Sequence, residues 1–162
     1  MPRTSAGLLP YRHTADGLEV LVGHMGGPFW ARKDAGAWSI VKGEVEPGET
    51  DLEAVARREV AEELGMPAPP GPWLDLGQVR QSGGKVVQAY AVAAPDLALV
   101  SCTEVEMEWP RGSGRVIRFP ELDRAEWLSL PAARERLVAG QRPLLDLLQD
   151  VLQDRLARGP QA

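Results

Sequence analysis

The sequence holds 162 residues, 44% apolar and 25% charged, with a formal net charge of −5. That size suits one domain over 1–162 with a real core, and the negative balance argues against broad salt-driven binding to nucleic acid, which needs a basic face. The one cysteine, Cys102, excludes an internal disulfide, and with only His13 and His24 beside it a Cys/His zinc site is excluded as well.

Met1 to Pro10 carries one arginine and no apolar run of signal-peptide length. The longest nearly uninterrupted apolar stretch, Ala89 to Pro95, is too short to span a bilayer, so no membrane is expected and the default compartment is the cytoplasm. Ser5 to Tyr11 and Leu18 to His24 read as two strands joined by a turn at Ala15-Asp16-Gly17. A Gly/Pro/Trp loop follows over Gly26 to Ala37, then a short strand, Trp38 to Val41. Asp51 to Leu64 is the clearest helix: Thr50 or Asp51 can cap it, Gly65 stops it and Pro67 lies just beyond. Further strands are expected at Trp73 to Arg80, Val86 to Ala93, Val116 to Phe119 and Ala125 to Ser129. Two helices close the chain, Pro131 to Val138 and about Pro143 to Ala157. Strands mixed with few helices point to an α/β fold, a mixed sheet covered by helices.

Glu59, Glu62 and Glu63 stand at i, i+3, i+4 on the clearest helix, so their carboxylates leave one face within a turn, over an arc of roughly 100°. The arc continues the apolar stripe of Leu52, Val55 and Ala56. Three like charges on a half-buried face repel and lose hydration, which is costly unless a cation sits among them. Hard divalent cations prefer such oxygens, and magnesium keeps a few protein ligands beside water and substrate phosphate. On spacing alone a solvated Glu-rich helix is the plainer account. Glutamates near a helix C-terminus oppose the helix dipole, which shifts the balance a little toward a site.

The surrounding residues add a pattern. Gly43-Glu44-Val45-Glu46-Pro47-Gly48-Glu49, followed by Arg58-Glu59-Val60-Ala61-Glu62-Glu63-Leu64-Gly65-Met66, resembles the Nudix box, over about 43–66. Every defined position of the second half is filled, while eight residues separate Glu49 from Arg58 where the box has seven. Trp38-Ser39-Ile40-Val41-Lys42-Gly43 is similar to the Trp-x-x-Pro-Lys-Gly lead-in of diadenosine polyphosphate hydrolases, with Val41 in place of Pro. Glu126-Trp127-Leu128-Ser129-Leu130 and Ala133-Arg134 are similar to a late Nudix strand and helix entry. Pro28-Phe29-Trp30-Ala31 and Glu106-Met107-Glu108-Trp109-Pro110 resemble a bacterial subgroup described as predicted nucleotide pyrophosphohydrolases. The resemblance covers about Ser5 to Leu137.

It implies a Nudix-like α/β/α sandwich and Mg²⁺- or Mn²⁺-dependent hydrolysis of a diphosphate linkage in a nucleotide, with dinucleoside polyphosphates slightly ahead of nucleoside triphosphates. It implies Glu59, Glu62 and Glu63 as metal ligands, the backbone carbonyl of Lys42 or Gly43 as a further one, and Arg58 paired to a box carboxylate, Glu59 first. A base often comes from a loop outside the box or from a box glutamate, such as Glu59 or Glu62. The alternating run Glu104, Glu106, Glu108 can aim carboxylates from one strand face, and Glu106 or Glu108 is the candidate for a fourth metal contact. A merely exposed acidic strand is the equal alternative. Lys42, Lys85, Arg111 and Arg115 are candidate phosphate clamps, and Gly112-Ser113-Gly114 a candidate mobile loop. Of five tryptophans, Trp38 and Trp127 are expected in the core, and Trp30 and Trp109 are candidates for stacking a base. A binding module that holds a nucleotide or nucleotide sugar without cleaving it is the rival reading. Monomer and homodimer stay open.

Overall fold

The computed structural model describes residues 3–159. The chain opens with β1 (Thr4–Thr14) and β2 (Gly17–Met25), an antiparallel pair turned at Ala15-Asp16. After the loop come β3 (Trp38–Ser39), β4 (Val41–Glu44) and α1 (Leu52–Leu64). Then follow β5 (Leu74–Arg80), β6 (Val86–Ala93), β7 (Glu104–Glu108), β8 (Val116–Pro120) and β9 (Leu122–Ser129). Helices α2 (Leu130–Arg136) and α3 (Pro143–Arg158) complete the described residues. None of their helices is long and apolar enough to cross a membrane.

Seven strands make one sheet in the order β3-β2-β1-β6-β5, with β4 beside β1 and β9 beside β2. The pair β1–β6 is parallel, Thr4 to Tyr11 against Val86 to Ala93, and the other pairings are antiparallel, so the sheet is mixed. Strand alternation sends side chains to two cores. Ala6, Leu8, Leu21 and Val41 pack with Val55, Ala56, Val60 and Leu64 of α1. Leu9, Tyr11, Val20, Val22 and Val87 face the other way, onto Ala133 of α2 and Leu144, Leu145 and Leu148 of α3. The result is the expected α/β architecture, a sheet between helical layers.

Two details depart from the sequence expectation. The strand expected over Trp38 to Val41 is broken at Ile40. There the Ile40 N–H leaves the ladder and donates to the buried Gln141 Oε1 at 2.8 Å, and Gln141 Nε2 donates to Ser39 Oγ and Gln81 Oε1. A buried backbone donor must find a partner, and Gln141 supplies it from beyond α2. Strand β9 begins at Leu122, three residues before Ala125, because Met25 of β2 pairs with Leu122 across a bulge.

Strands β7 and β8 form a separate two-stranded ribbon. Its base is tied to the last turn of α1: Thr103 donates from its N–H and its hydroxyl to the Glu62 carbonyl, and the Glu121 N–H donates to the Thr103 carbonyl.

Candidate active site

Helix α1 starts where Asp51 Oδ1 accepts from the Ala54 N–H at 3.2 Å, and ends at Gly65, whose φ of 71° lets its N–H reach the Ala61 carbonyl. A side chain at Gly65 would also collide with Ser101. Thr50 and Asp51 lie before the helix, so Arg58 to Leu64 keep one helical register. The turn Glu46-Pro47-Gly48-Glu49 closes through the Glu49 N–H to the Glu46 carbonyl, and Glu49 Oε1 accepts from the Glu46 N–H. From that turn Glu49 reaches Arg58 at 2.9 Å.

Arg58 also holds Glu59 at 2.9 Å and Glu62 at 3.4 Å, so one guanidinium binds three carboxylates. The Glu46 N–H first, and then Arg58, keep the Glu49 carboxyl below the ordinary carboxylate range. Glu59 and Glu63 are 7% and 3% exposed. Gly43 is the reason Glu59 fits, since a Cβ there would overlap its carboxyl group. Burial raises the Glu59 pKa against the pull of Arg58. It raises Glu63 further, to about 9, aided by the carboxyl of Glu121 beside it; the Cys102 thiol, with Sγ 3.5 Å from Oε2, opposes the shift.

Glu121 is the acidic residue that sequence reasoning missed. It sits in the bend between β8 and β9, and its charge is felt at Glu59, Glu63 and Lys42. Lys42 is half-buried on β4 opposite Gly7, and its pKa is lowered by burial first and then by repulsion from Lys85. Glu59, Glu63 and Glu121 thus feel one another's charge, with Lys42 of β4 alongside, where α1 ends and β8 turns into β9.

A family model described as the NUDIX domain matches residues 1–148, which spans the sheet, α1 and this cluster. The chain belongs to the Nudix hydrolase family. Its fold is shared with solved members. An Ap4A hydrolase of C. elegans, solved as a binary complex, aligns at a TM-score of 0.64 and 22% identity, covering 94% of this chain and 99% of that one. The NUDIX domain of Shewanella oneidensis NrtR, complexed with ADP ribose, aligns at 0.61 and 16% identity, over 94% and 89% of the two chains. The E. coli ORF135 protein aligns at 0.59 and 22% identity, over 96% and 94%. At such identities the likeness is one of fold. No curated protein matches the chain.

In this Nudix chain the box carboxylates are not equivalent. Glu62 meets Arg58 as Glu59 does, but it is half-exposed where Glu59 and Glu63 are buried. As they stand, no three His, Cys, Asp or Glu side chains among the described residues are grouped closely enough to hold a metal ion. The donor chemistry still fits a hard divalent cation: two desolvated carboxylates and a third against them, all oxygen donors, in an arrangement that like-charge repulsion disfavours without a cation.

The other expected residues scatter. Glu106 and Glu108 lie on the ribbon, two and four residues beyond Glu104, and their described contacts stay within it: Glu106 with Arg118 at 3.6 Å, Glu108 with the Gly112 N–H. Arg111 and Arg115 stand exposed at its tip. Lys85 is exposed but near Lys42. Trp30 packs against the core on the α2–α3 side, and Trp109 is 36% exposed on the ribbon. Trp38 is buried and donates to Asp34, while Trp127 is half-buried under the Arg12 guanidinium, 4.5 Å from its ring centroid. His24 is buried, with Asp123 and the Lys33 carbonyl on its two nitrogens, so it ties the 26–37 loop to β9.

Proposed function

We propose that the chain is a Mg²⁺-dependent pyrophosphohydrolase that opens a diphosphate linkage in a nucleotide, dinucleoside polyphosphates ahead of nucleoside triphosphates. The observation that carries this reading is the buried pair Glu59 and Glu63, with Glu121 against the second and Lys42 alongside. Glu59, Glu63 and a Glu62 turned away from Arg58 would hold the cation, with the carbonyl of Lys42 or Gly43 as a further oxygen. The chemistry such a cation would supply there is activation of a water and neutralisation of the charge developing on the phosphate. Arg58 fixes Glu59 through a charge-assisted hydrogen bond. Lys42 and Lys85, two cations close enough to repel each other, would take the oxygens of the phosphate chain. Water attacks one phosphorus, the bond to the leaving phosphate or nucleotide breaks, and a carboxylate accepts the proton. Glu121 and Glu62 are the candidates for that role. Glu121 takes the place that sequence spacing assigns to Glu106 or Glu108.

The preference for dinucleoside polyphosphates is supported by the Trp38 to Gly43 lead-in and by the fold likeness to an Ap4A hydrolase. The rival, a module that binds a nucleotide without cleaving it, draws on the outward turn of Glu62. Both are tested by incubating the protein with Mg²⁺ and dinucleoside polyphosphates, nucleoside triphosphates, nucleotide sugars and NADH, and resolving products by chromatography. The proposal expects mono- and polyphosphate products from the first class in largest amount. Saturable binding of a nucleotide with every substrate recovered intact would instead establish the rival.

A further inference from the structure

The segment from Val100 to Thr103 lies across the end of α1. The last four carbonyls of a helix have no partner within it, and the Gly65 N–H takes that of Ala61. This segment takes two of the others. The Val100 and Ser101 N–H groups donate to the Leu64 carbonyl at 2.7 and 3.2 Å. Thr103 donates to the Glu62 carbonyl from its N–H at 3.2 Å and from its hydroxyl at 3.1 Å. Ser101 also fills the space that a side chain at Gly65 would need.

The same residues hold a second element, the bend that carries Glu121. The Glu121 N–H donates to the Thr103 carbonyl at 3.1 Å, and the Leu122 N–H donates to Cys102 Sγ at 3.3 Å. The Glu121 carbonyl accepts from the Gly26 N–H at 2.8 Å, so both backbone polar groups of Glu121 are engaged. The Cys102 thiol in turn donates to Glu63 Oε2 at 3.5 Å. Two short paths therefore join the box helix to the bend. One runs from the Glu62 carbonyl through Thr103 to the Glu121 N–H, the other from the Glu63 carboxyl through Cys102 to the Leu122 N–H.

Such a tether answers a physical need. The charge of Glu121 is felt at both Glu59 and Glu63, and like charges would drive the bend outward unless its backbone were fixed. Placement also matters to chemistry, since an error of about 1 Å at a reacting group can cost on the order of 100-fold in rate.

We propose that Thr103 is a positioning residue of the site, setting the distance between the Glu121 carboxyl and the acidic face of α1. Among the hydrogen bonds of the described residues, its own are the ones that join the α1 backbone to Glu121 itself. The inference rests on the hydrolase reading with Glu121 as proton acceptor, and it adds a residue that acts only through Glu121.

The test compares Thr103→Val, which keeps the side-chain shape and loses the hydroxyl, with Thr103→Ser, which keeps the hydroxyl. Thr103 is exposed, so neither change disturbs a core. Each is made in the parent and in Glu121→Gln. Thr103→Val is expected to lower kcat about fivefold, with KM and the half-saturating Mg²⁺ concentration within about twofold of the parent. Thr103→Ser restores most of the loss. In Glu121→Gln the Thr103→Val change should cost less than about twofold, because the group it positions no longer accepts a proton. Residue-resolved amide exchange by NMR, in EDTA, gives a second readout that needs no turnover: the Glu121 amide exchanges faster in Thr103→Val and recovers in Thr103→Ser. An unchanged kcat, an equal loss in both backgrounds, or an unchanged Glu121 amide overturns the positioning role. Should the parent hydrolyse none of the substrates, the catalytic reading falls, and the Glu121 amide alone decides whether Thr103 holds the bend.

Discussion

The chain has two acidic runs, and they differ in kind. Glu59, Glu62 and Glu63 follow helical spacing, whereas Glu104, Glu106 and Glu108 follow strand spacing, and each set therefore shares a face. On α1 the face lies against β4, and burial pushes Glu59 and Glu63 upward in pKa. On the ribbon the face looks into water, where Glu106 has an exposed partner in Arg118 and Glu108 caps a turn. Shared facing is therefore a poor guide to chemistry. What separates the two runs is how much water each carboxylate has lost, because only a desolvated anion gains much from a bound cation.

The largest expected effect follows directly. Glu59→Gln and Glu63→Gln should each lower Mg²⁺-dependent hydrolysis by about 100-fold or more, as loss of a charged ligand or of transition-state electrostatics does. Glu121→Gln should fall between, by about 10- to 100-fold. Glu106→Gln and Glu108→Gln should stay within about twofold of the parent, since exposed surface charges contribute little. Initial rates at saturating Mg²⁺ decide the ranking. A ribbon variant as damaged as Glu63→Gln would return the fourth carboxylate to β7.

A second effect has the opposite sign for the same residue. Glu63 titrates near 9 in the folded metal-free protein and near 4.5 when unfolded, so the folded state binds its proton more tightly. Its contribution to stability is therefore present below about pH 4.5 and is lost as pH rises toward 9, by up to about 1.4 kcal/mol for each unit traversed. Glu63→Gln, neutral at every pH, should make the metal-free protein more stable at pH 8 while abolishing its activity. Urea unfolding in EDTA at pH 5 and pH 8 measures this. Glu106→Gln should leave the pH dependence as it is, and a Glu63→Gln variant less stable than the parent at pH 8 would mean the carboxylate is stabilised without a cation.

Much of this was legible in the sequence, for physical reasons that also mark the limit. Asp51 and Gly65 bracket α1 because capping and left-handed termination are local chemistry. Val86 to Ala93 was readable as a strand because its β-branched residues suit a buried sheet position. Arg58 lies one residue from Glu59 and four from Glu62, so their pairing was visible in the spacing. Glu121 was not, since no periodicity links a bend before β9 to the end of α1; only the fold brings them together. Gln141 and Ile40 are another such pair, 101 positions apart and joined by one orphaned N–H. The reach of Glu49 to Arg58 across the extra residue depends on a turn closed by its own side chain, which residue counting cannot show.

The smallest expected effect concerns how each acidic run is anchored. Asp51 accepts from the Ala54 N–H, one of the first-turn donors that lack a partner within the helix, and it does so at a helix whose far end carries the site. Asp51→Ala should cost about 1 kcal/mol, the usual loss for a helix cap. Glu108 performs a similar service for the Gly112 N–H, but at an exposed turn where water replaces it, so Glu108→Ala should cost under about 0.5 kcal/mol. The two substitutions remove the same kind of bond, a carboxylate accepting from a backbone N–H. If paired urea melts gave equal losses, the ribbon would be as firmly integrated as α1, and the contrast between a cooperative site and a solvated appendage would have to be abandoned.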